Sequence, residues 1–450
     1  MLVVQKLMKL KSLLLAVSLV ASSWAQAADL LETFHAAQAN DPVFAAARAT
    51  QQAGQEKLTQ GRSLLLPSIN LSANTTFNDL TTQYHPATPP LFTGGSNRYN
   101  SNGYGVTLVQ PLFRQQNWQA YSESELQAAQ AGMQLKIAEQ DLILRVAQAY
   151  FDVLIAQDSV GLVNAQKTAI SEQLEQAKRN FEVGSATITD TLEAQARYDL
   201  TGAQEIAAQN NLEIKRSALQ QLINVKPGEL AALGKELKPE APQPADMEQW
   251  VDQAQMNNLQ LAIAQTGAEI ADKEVARTRG GHYPTVDMVA NYSQNSANGG
   301  SFGVGSDTTN KSVGVQLNVP LFQGGVVNSR WREAEANRER ARQELENARR
   351  NVAQQVRLSY LGVVSGVAQV QALQQALTSG ESLLQASKLG QEVGVRTNLD
   401  VLNAQQQLFA TRRDLYQAQY NYLLNQLHLK QATGTLGEAD LSKVNQALHP

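Results

Sequence analysis

Three short segments of the chain alternate apolar and polar residues with a period of two. They cover residues 68–77, 285–292 and 313–319, and in the first of them Ile69 and Leu71 alternate with serine and asparagine. A period of two predicts β-strands, and about ten residues is the length of a tilted strand that crosses a bilayer. The same segments would also suit soluble hairpins packed on helices, so both interpretations stay open at this point.

A heptad pattern replaces the alternation between residues 117 and 183, where no proline occurs. Its apolar seam is Leu142, Val146, Ala149, Val153, Ala156, Val160, Val163, Ile170, Leu174, Ala177 and Phe181. The same register returns between residues 352 and 384. Heptads of this kind predict coiled-coil packing, and a helix of about 67 residues is about 100 Å long. Such a helix is much longer than the membrane core of roughly 30 Å.

The chain repeats itself over nearly its whole length. "LPSINLSANTTF" (66–77) aligns with "YPTVDMVANYSQ" (283–294), and "VTLVQPLF" (106–113) aligns with "VQLNVPLF" (315–322). Each repeat supplies one pair of strands, joined by a polar loop. Four strands are too few to close a membrane barrel, whose smallest members have about eight. If these strands cross a membrane, the chain must therefore oligomerise: two copies give eight strands and three give twelve.

The repeat and the segments outside it define five regions. They are a predicted signal peptide (1–27), the first repeat (28–224), a proline-rich linker (225–244), the second repeat (245–434) and a C-terminal tail (435–450). The first region has lysines, then an apolar run, then a small-residue cleavage site, which is the pattern of a secreted protein. Because no cysteine follows that site, we expect no lipid anchor. The linker and the tail are expected either at a belt midway along the helices or, for the tail, in a disordered state.

One turn is written twice. "VGSATITDTLEAQ" (183–195) and "VGVRTNLDVLNAQ" (393–405) place Asp190 under Asp400. Each acid stands three residues after a threonine, Thr187 or Thr397, and this spacing predicts a capping box at the start of a helix. A capping role alone would explain both acids, since a first-turn carboxylate stabilises any helix. A role at the end of a pore is compatible with it.

Composition argues against an enzyme. The chain carries a formal charge of −4 and no cysteine, which excludes disulfides and thiolate sites. Its five histidines are scattered without metal-ligand spacing. The glycines of residues 299–306 lie between strands and open no helix, so they predict no phosphate loop. The arginine-rich segment 329–350 interleaves acids at helical spacing, which indicates an ion-paired helix face rather than a nucleic-acid site. We therefore predict no catalysis, no cofactor, no bound metal and no nucleic-acid partner.

The combination of a signal peptide, two repeats, the "QPLF" and "VPLF" strand exits and the paired "VGxxT" turns resembles the TolC family of outer-membrane channel proteins. The resemblance implies an α+β membrane protein. Long antiparallel coiled-coil helices would form a periplasmic α-barrel, and a transmembrane β-barrel would be completed by trimerisation, with four strands from each chain. It also implies the outer membrane as the location, with a large periplasmic portion and contacts to outer-membrane lipids.

The function that the resemblance implies is a passive exit duct of a tripartite efflux pump or a type I secretion system. Partner proteins would open it at its periplasmic tip: a periplasmic adaptor and an inner-membrane translocase of ABC or RND type. The alternative is a periplasmic coiled-coil scaffold whose hairpins remain soluble.

The resemblance also implies candidate functional residues. Asp190, Arg396 and Asp400 match gate-linking and pore-lining positions, with Thr189 as a neighbour. Two positions depart from the family pattern: Gln391 stands where a tyrosine is expected, and Asn403 where a second pore-lining acid is expected. These departures imply a gate that is held less tightly and a weaker cation site.

Three aromatic residues lie just past predicted strand ends. They are Phe113, Trp118 and Phe322. A girdle at the membrane interface is one interpretation, and packing at the junction between strand and helix is the other.

Overall fold

The structure, a computed structural model, describes residues 29–83, 95–234, 237–300 and 304–449. The predicted signal peptide lies outside the described residues, as do the central parts of both strand-connecting loops. The elements in chain order are α1 (Leu30–Asn40), α2 (Pro42–Ser63), β1 (Ser68–Thr82), β2 (Gly95–Phe113), α3 (Gln115–Glu182), α4 (Ile188–Ile223), β3 (Ala232–Leu233), α5 (Met247–Asn257), α6 (Leu259–Arg279), β4 (Thr285–Ala297), β5 (Ser306–Asn318), α7 (Val326–Glu392), α8 (Asn398–Ala432), α9 (Glu438–Asn445) and β6 (Leu448–His449). A 3₁₀ turn at Gly280–His282 precedes β4.

The chain divides into two compact units. One comprises residues 50–133 and 263–347 and contains the four long strands. The other comprises the described residues of 29–49, 134–262 and 348–449 and contains both repeated turns, the linker and the tail. In the part of the chain that the structure describes, no helix combines the length and the apolar character needed to cross a membrane.

Both predicted strand pairs are present, and they join in one antiparallel sheet in the order β1-β2-β4-β5. The strands are longer than the alternating pattern indicated, up to 19 residues in β2. The strand ends near the loops are rich in threonine, asparagine and glycine. Apolar residues therefore no longer alternate with polar ones there, although the hydrogen-bonded pairing of the strands continues. The sheet leaves β1 and β5 at its two edges.

Register divides the sheet into two chemically different faces, because directly opposed residues point to the same side. One face is mostly polar, with Ser68, Asn70, Ser72, Asn74, Thr107, Asn291, Ser293, Asn295, Asn310 and Ser312, and it also carries Val109 and Val289 near the helices. The other is apolar near the helices, with Ile69, Leu71, Val106, Leu108, Met288, Ala290, Val313, Val315 and Leu317. Among the described strand residues, Asp287 is the only acid on the polar face, and Arg114 neutralises it through two hydrogen bonds of 2.8 and 2.7 Å.

The long helices α3 and α7 have 68 and 67 residues, close to the predicted length. Many predicted seam positions are buried, and Val146, Val356 and Val370 are each fully buried, whereas Val160 and Val163 are only partly buried. Phe181 was predicted in the same seam, and this was wrong, because its side chain is 44% exposed. The helix ends at Glu182, one residue later, so Phe181 no longer faces a neighbouring helix along its whole length.

A polar residue ends one helix and begins the next at the same place in both repeats. The N–H of Asp41 donates to Ala37 at the end of α1, and its carboxylate accepts from the N–H of Phe44 in α2 at 3.0 Å. Asn258 repeats both bonds between α5 and α6, accepting from Leu261 at 3.0 Å. The Arg145 guanidinium, bonded to Asp41 at 2.7 Å, holds the pKa of that carboxyl below its usual value.

The linker and the C-terminal tail pair with each other. β3 of the linker forms a short antiparallel ladder with β6 of the tail, in which Ala232 faces His449. The hydroxyl of Tyr150, fully buried on α3, donates to the carbonyl of Ala231 at 2.9 Å and so fixes the linker on the helix. The tail is therefore folded against the linker. Its place at a belt midway along the helices stays a prediction.

A buried carboxyl lies where α3 packs on α6. Glu123 is 8% exposed and faces Arg277, whose Nε lies 3.3 Å from its Oε1. Arg277 also donates to Glu274 at 2.6 Å. Burial raises the pKa of Glu123 to about 7, and the nearby Glu274 adds to the rise while Arg277 opposes it. Because the folded state favours the protonated form, this group stabilises the fold at low pH, and that contribution is lost as pH rises through about 7.

We predict that Glu123→Gln removes this pH dependence. The neutral amide has the same shape and no ionised form, so the variant should be more stable than the native protein at pH 8 and equal to it near pH 4. A rise of the Glu123 pKa from 4.5 to about 7 corresponds to a difference of about 3 kcal/mol at pH 8. Urea unfolding of the full chain in detergent at both pH values measures the difference. The exposed Glu344, which pairs with Arg340 on α7, provides the control variant Glu344→Gln. An equal pH profile for native protein and Glu123→Gln would contradict the prediction.

Candidate gate at the two helical turns

The repeated turn has the same backbone in both repeats. α3 and α7 each end before a glycine, Gly184 or Gly394, with φ of 77°. This left-handed conformation is strained for residues with a Cβ and common for glycine at helix ends. The following N–H groups return to the last helical turn, from Ser185 to Asn180 at 2.8 Å and from Val395 to Gly390 at 2.9 Å. The glycine that follows the valine in "VGSAT" and in "VGVRT" thus permits the same sharp reversal in both repeats.

The predicted capping boxes are confirmed in both turns. The N–H of Asp190 donates to the hydroxyl of Thr187, whose own N–H donates back to the carboxylate at 2.9 Å. Thr397 and Asp400 make the same two bonds at 2.9 and 3.2 Å. Two N–H groups that helix ends would otherwise leave unsatisfied are bonded in each box.

Arg396 lies beside the acid of its own turn. Its guanidinium is 3.8 Å from Asp400, and both side chains are more than one-third exposed. Bonds from Thr397 and, to a lesser degree, the Arg396 charge lower the pKa of Asp400. The ionised cap is therefore present at neutral pH and is lost only as pH falls through that lowered pKa. Among the described residues no ion pair joins Arg396 to Asp190, and the neighbouring Thr189 is exposed.

Gln391 links the ends of three helices. It accepts a hydrogen bond from the buried Gln173 of α3 at 3.2 Å and donates to Asn398 of α8 at 3.4 Å. Gln173 also donates directly to Asn398. The amide at position 391 therefore replaces the expected tyrosine with a small network of neutral side chains. Gln173 was not among the predicted site residues, and its burial, which requires hydrogen-bond partners for the amide, appears only in the fold.

Asn403 joins the two repeats. Its side-chain oxygen accepts from the guanidinium of Arg197 on α4 at 2.7 Å, and Gln406, one turn further along α8, accepts from the same guanidinium at 2.6 Å. The residue that stands in place of an expected acid is thus the acceptor for a cation of the first repeat. Arg197 was not among the predicted site residues. Nothing in its local sequence indicates a partner more than 200 positions away.

Apolar side chains pack behind these polar contacts. One cluster near the turns has five buried side chains, with the partly buried Tyr198 against it: Ile170, Leu174, Ala177, Ala194 and Leu402. Val401 and Ala404 of α8 are also buried at this end. The hydrogen bonds of Gln173 and Arg197 add to this apolar packing in attaching the two repeats.

The three predicted interface aromatics are all exposed in the single chain. Phe113 ends β2, Trp118 lies in the first turns of α3, and Phe322 follows β5 with 89% of its surface exposed. Their placement at a membrane interface stays a prediction. In the described segments, histidine, aspartate and glutamate form no group of three that could hold a metal ion.

Residues 33–225 and 250–435 match the family described as outer membrane efflux protein. The outer membrane protein TolC of Escherichia coli is 36% identical to this chain, over 98% of the chain and 89% of TolC. The alkaline protease secretion protein AprF of Pseudomonas aeruginosa is 34% identical, over 92% of the chain and 86% of AprF. The solved structure of the outer membrane protein VceC from Vibrio cholerae superimposes with a TM-score of 0.75 at 20% identity, covering 90% of this chain and 96% of VceC.

We predict that Thr397→Val loosens one turn and spares the other. Valine keeps the shape of threonine but removes the hydroxyl that accepts from Asp400, and the loss of an N-cap costs about 1 kcal/mol. Amide exchange of residues 397–402, followed by mass spectrometry, should accelerate about five-fold, since 1.4 kcal/mol corresponds to a factor of ten. The turn at residues 183–190 in the same sample is the internal control. Equal acceleration in both turns, or none in either, would count against the cap.

Proposed function

The chain belongs to the outer membrane efflux protein family and is an outer-membrane exit duct for efflux and type I secretion, and from this premise we propose that three copies form one passive duct closed at the two helical turns. Members of this family are channels rather than enzymes. In the proposed assembly the strands lie in the outer membrane and the turns lie at the periplasmic end.

The observation that carries the proposal is the division of the sheet into a polar and an apolar face. An outward apolar band and an inward polar surface are what a membrane-spanning wall around water requires. Ile69, Leu71 and Val313 are each about two-thirds or more exposed in the single chain, and lipid would cover them. The opposite face offers hydroxyl and amide groups to water.

The number of copies follows from the strands. Each chain supplies four, and the edges β1 and β5 have no strand partner within the described chain. Open edges are not tolerated in lipid. Three copies supply twelve strands, and the family resemblance favours this number over the eight strands of a dimer.

The closed state of the duct would rest on weak contacts. Arg197 donates to two neutral amides, and Gln173 bonds to two more. A hydrogen bond between neutral groups contributes about 0.5–1.5 kcal/mol, and one from a charged group up to about 3 kcal/mol when it is buried; exposure of the Arg197 bonds lowers their contribution toward the neutral range. The attachment of α8 to the first repeat is thus strong enough to bias the closed state and weak enough for docking of a partner protein to release it. Arg396 offsets Asp400 within its own turn and so limits repulsion among the acids that three copies bring together.

The partners in this proposal are a periplasmic adaptor and an inner-membrane translocase of ABC or RND type. The similarity to proteins named for protease secretion favours polypeptides as one cargo. Native mass measurement in detergent tests the assembly, with a trimer expected. A monomer that detergent-free extraction releases from the periplasm would instead favour the alternative, a coiled-coil scaffold with soluble hairpins.

We predict that Arg197→Ala favours opening. The substitution removes two hydrogen bonds between α4 and α8 in every subunit, and a loss of about 1 kcal/mol shifts a closed–open equilibrium about five-fold per subunit. Single-channel recording in planar bilayers should show a higher open probability or conductance. Arg413→Ala is the matched control, because Arg413 is exposed on α8 and pairs with its neighbour Asp414. Unchanged conductance in Arg197→Ala, or the same change in both variants, would contradict the gate.

A further inference from the structure

The internal repeat makes the two edge strands, β1 and β5, equivalent to two strands that already pair inside the chain, β4 and β2. We call a pairing between strands of different repeats or different copies a joint. It aligns β1 with β4, Ser68 falling on Thr285, and it aligns β2 with β5, Val106 falling on Val315. The antiparallel joint between β2 and β4 is therefore the internal counterpart of a joint between β5 of one copy and β1 of the next. If a sequence folds the same way twice, the internal register is a template for the external one.

We propose that β5 pairs with β1 of the next subunit in the register of the β2–β4 joint, and that Lys311 and Asp79 of the next subunit form an ion pair across it. The inference rests on the proposed function, because it needs the copies to assemble around one axis. Asn102 faces Ser296 in the internal joint. The repeat aligns Asn102 with Lys311 and Ser296 with Asp79, so these two charged residues become directly opposed.

The same register matches the chemistry of the other rows. Leu108 faces Ala290 inside the chain, and the equivalent external pair is Leu317 with Ala73, both on the apolar face. On the polar face the equivalent external pair is Gln316 with Asn74. A shift by one residue would turn apolar side chains to the polar face. A shift by two would place Lys311 opposite Phe77 or Thr81 and leave the lysine without an acid.

Lys311 and Asp79 each already contact a side chain of the neighbouring strand in their own chain, and these contacts favour the ion pair. Within one chain Lys311 faces Tyr292 across β4 and β5, with its ammonium 5.7 Å from the ring centre. Asp79 faces Arg98 across β1 and β2 at 2.9 Å. The external joint would align all four on one row, in the order Tyr292, Lys311, Asp79, Arg98, so that the acid lies between two cations. Opposite charges in directly opposed positions stabilise strand pairing.

The external and internal joints carry their ion pairs at opposite ends. The internal joint has its ion pair, Arg114 with Asp287, at the helix end. The repeat equivalents of these residues are Gln323 and Asn70, which carry no charge, whereas the external joint has its ion pair at the loop end. Charges thus mark opposite ends of the two joints, and this favours pairing between β5 and β1 over mispairing of either edge with an inner strand.

Cysteine cross-linking tests the register, because the chain contains no cysteine. Gln316→Cys with Asn74→Cys should give covalent trimers on oxidation, since directly opposed Cα atoms lie about 4.5–5.5 Å apart and a disulfide spans up to about 6.8 Å. Gln316→Cys combined with Ser72→Cys or Thr76→Cys is the control for a shift by two and should cross-link at least several-fold less. Native mass measurement accompanies each variant.

A trimer that cross-links best through Ser72→Cys or Thr76→Cys would overturn the register and leave the proposed duct standing. A monomer without cross-links in any variant would contradict both. The ion pair has its own test, the rate at which the trimer dissociates in detergent. Lys311→Gln and Asp79→Asn should each accelerate it several-fold, Lys311→Arg should not, and the double variant should be no faster than the faster single variant. Effects that multiply in the double variant would overturn the ion pair.

Discussion

Backbone N–H and C=O groups along the outer edges of β1 and β5 have no ladder partner in the described chain, and lipid offers them none. This requirement links the fold to the assembly. The alternation that gives the sheet its two faces places it in a membrane, and there the edges must be covered by the same kind of strand. The internal joint between β2 and β4 already shows what such a cover looks like in this sequence. In the proposed duct, this need for hydrogen bonds requires the copies to assemble, and the internal joint supplies the register in which they would pair.

The two repeats share the same local backbone conformations but differ in their charged side chains. The left-handed glycine, the threonine–aspartate cap and the polar residue between the short helices occur in both. Charged contacts differ: Arg114 pairs with Asp287 in the inner joint, while the equivalent positions of the outer joint are neutral. Arg396 occurs in the second turn, where Ala186 occupies the first. A local backbone conformation can be the same in both repeats because it depends on nearby residues. The charged side chains differ because each joint and each turn packs against different residues.

The sequence predicts those parts of the structure that depend on local spacing. Period-two alternation located three of the four long strands, the repeat located the fourth, and threonine three residues before aspartate located both helix starts. Heptads located many of the buried positions as far as Ala177, but Val160 and Val163 are only partly buried and Phe181 is exposed, because a seam position is buried only where another helix packs on it. The loop-proximal halves of the strands were missed because threonine and asparagine on both faces carry no periodic signal.

Contacts between distant side chains were beyond the sequence pattern. Gln391 and Asn403 were recognised as departures, yet their partners Gln173 and Arg197 came only from the fold. An arginine bonded to amides has the same local sequence as an arginine in water. The pairing of the linker with the tail was not foreseen either, since two-residue strands are too short to alternate.

The polar face of the sheet carries one acid among the described strand residues, and Arg114 neutralises it. A wall of hydroxyl and amide groups attracts no layer of mobile counterions, so in the proposed duct it would create no electroosmotic flow and no exclusion of solutes by their sign. An extended polypeptide would exchange its hydrogen bonds to water for similar hydrogen bonds to the wall. No position along the wall would then bind the polypeptide much more tightly than the next. Its passage through this segment would then resemble diffusion along a level path, with the rate set by viscous drag and by the width of the opening.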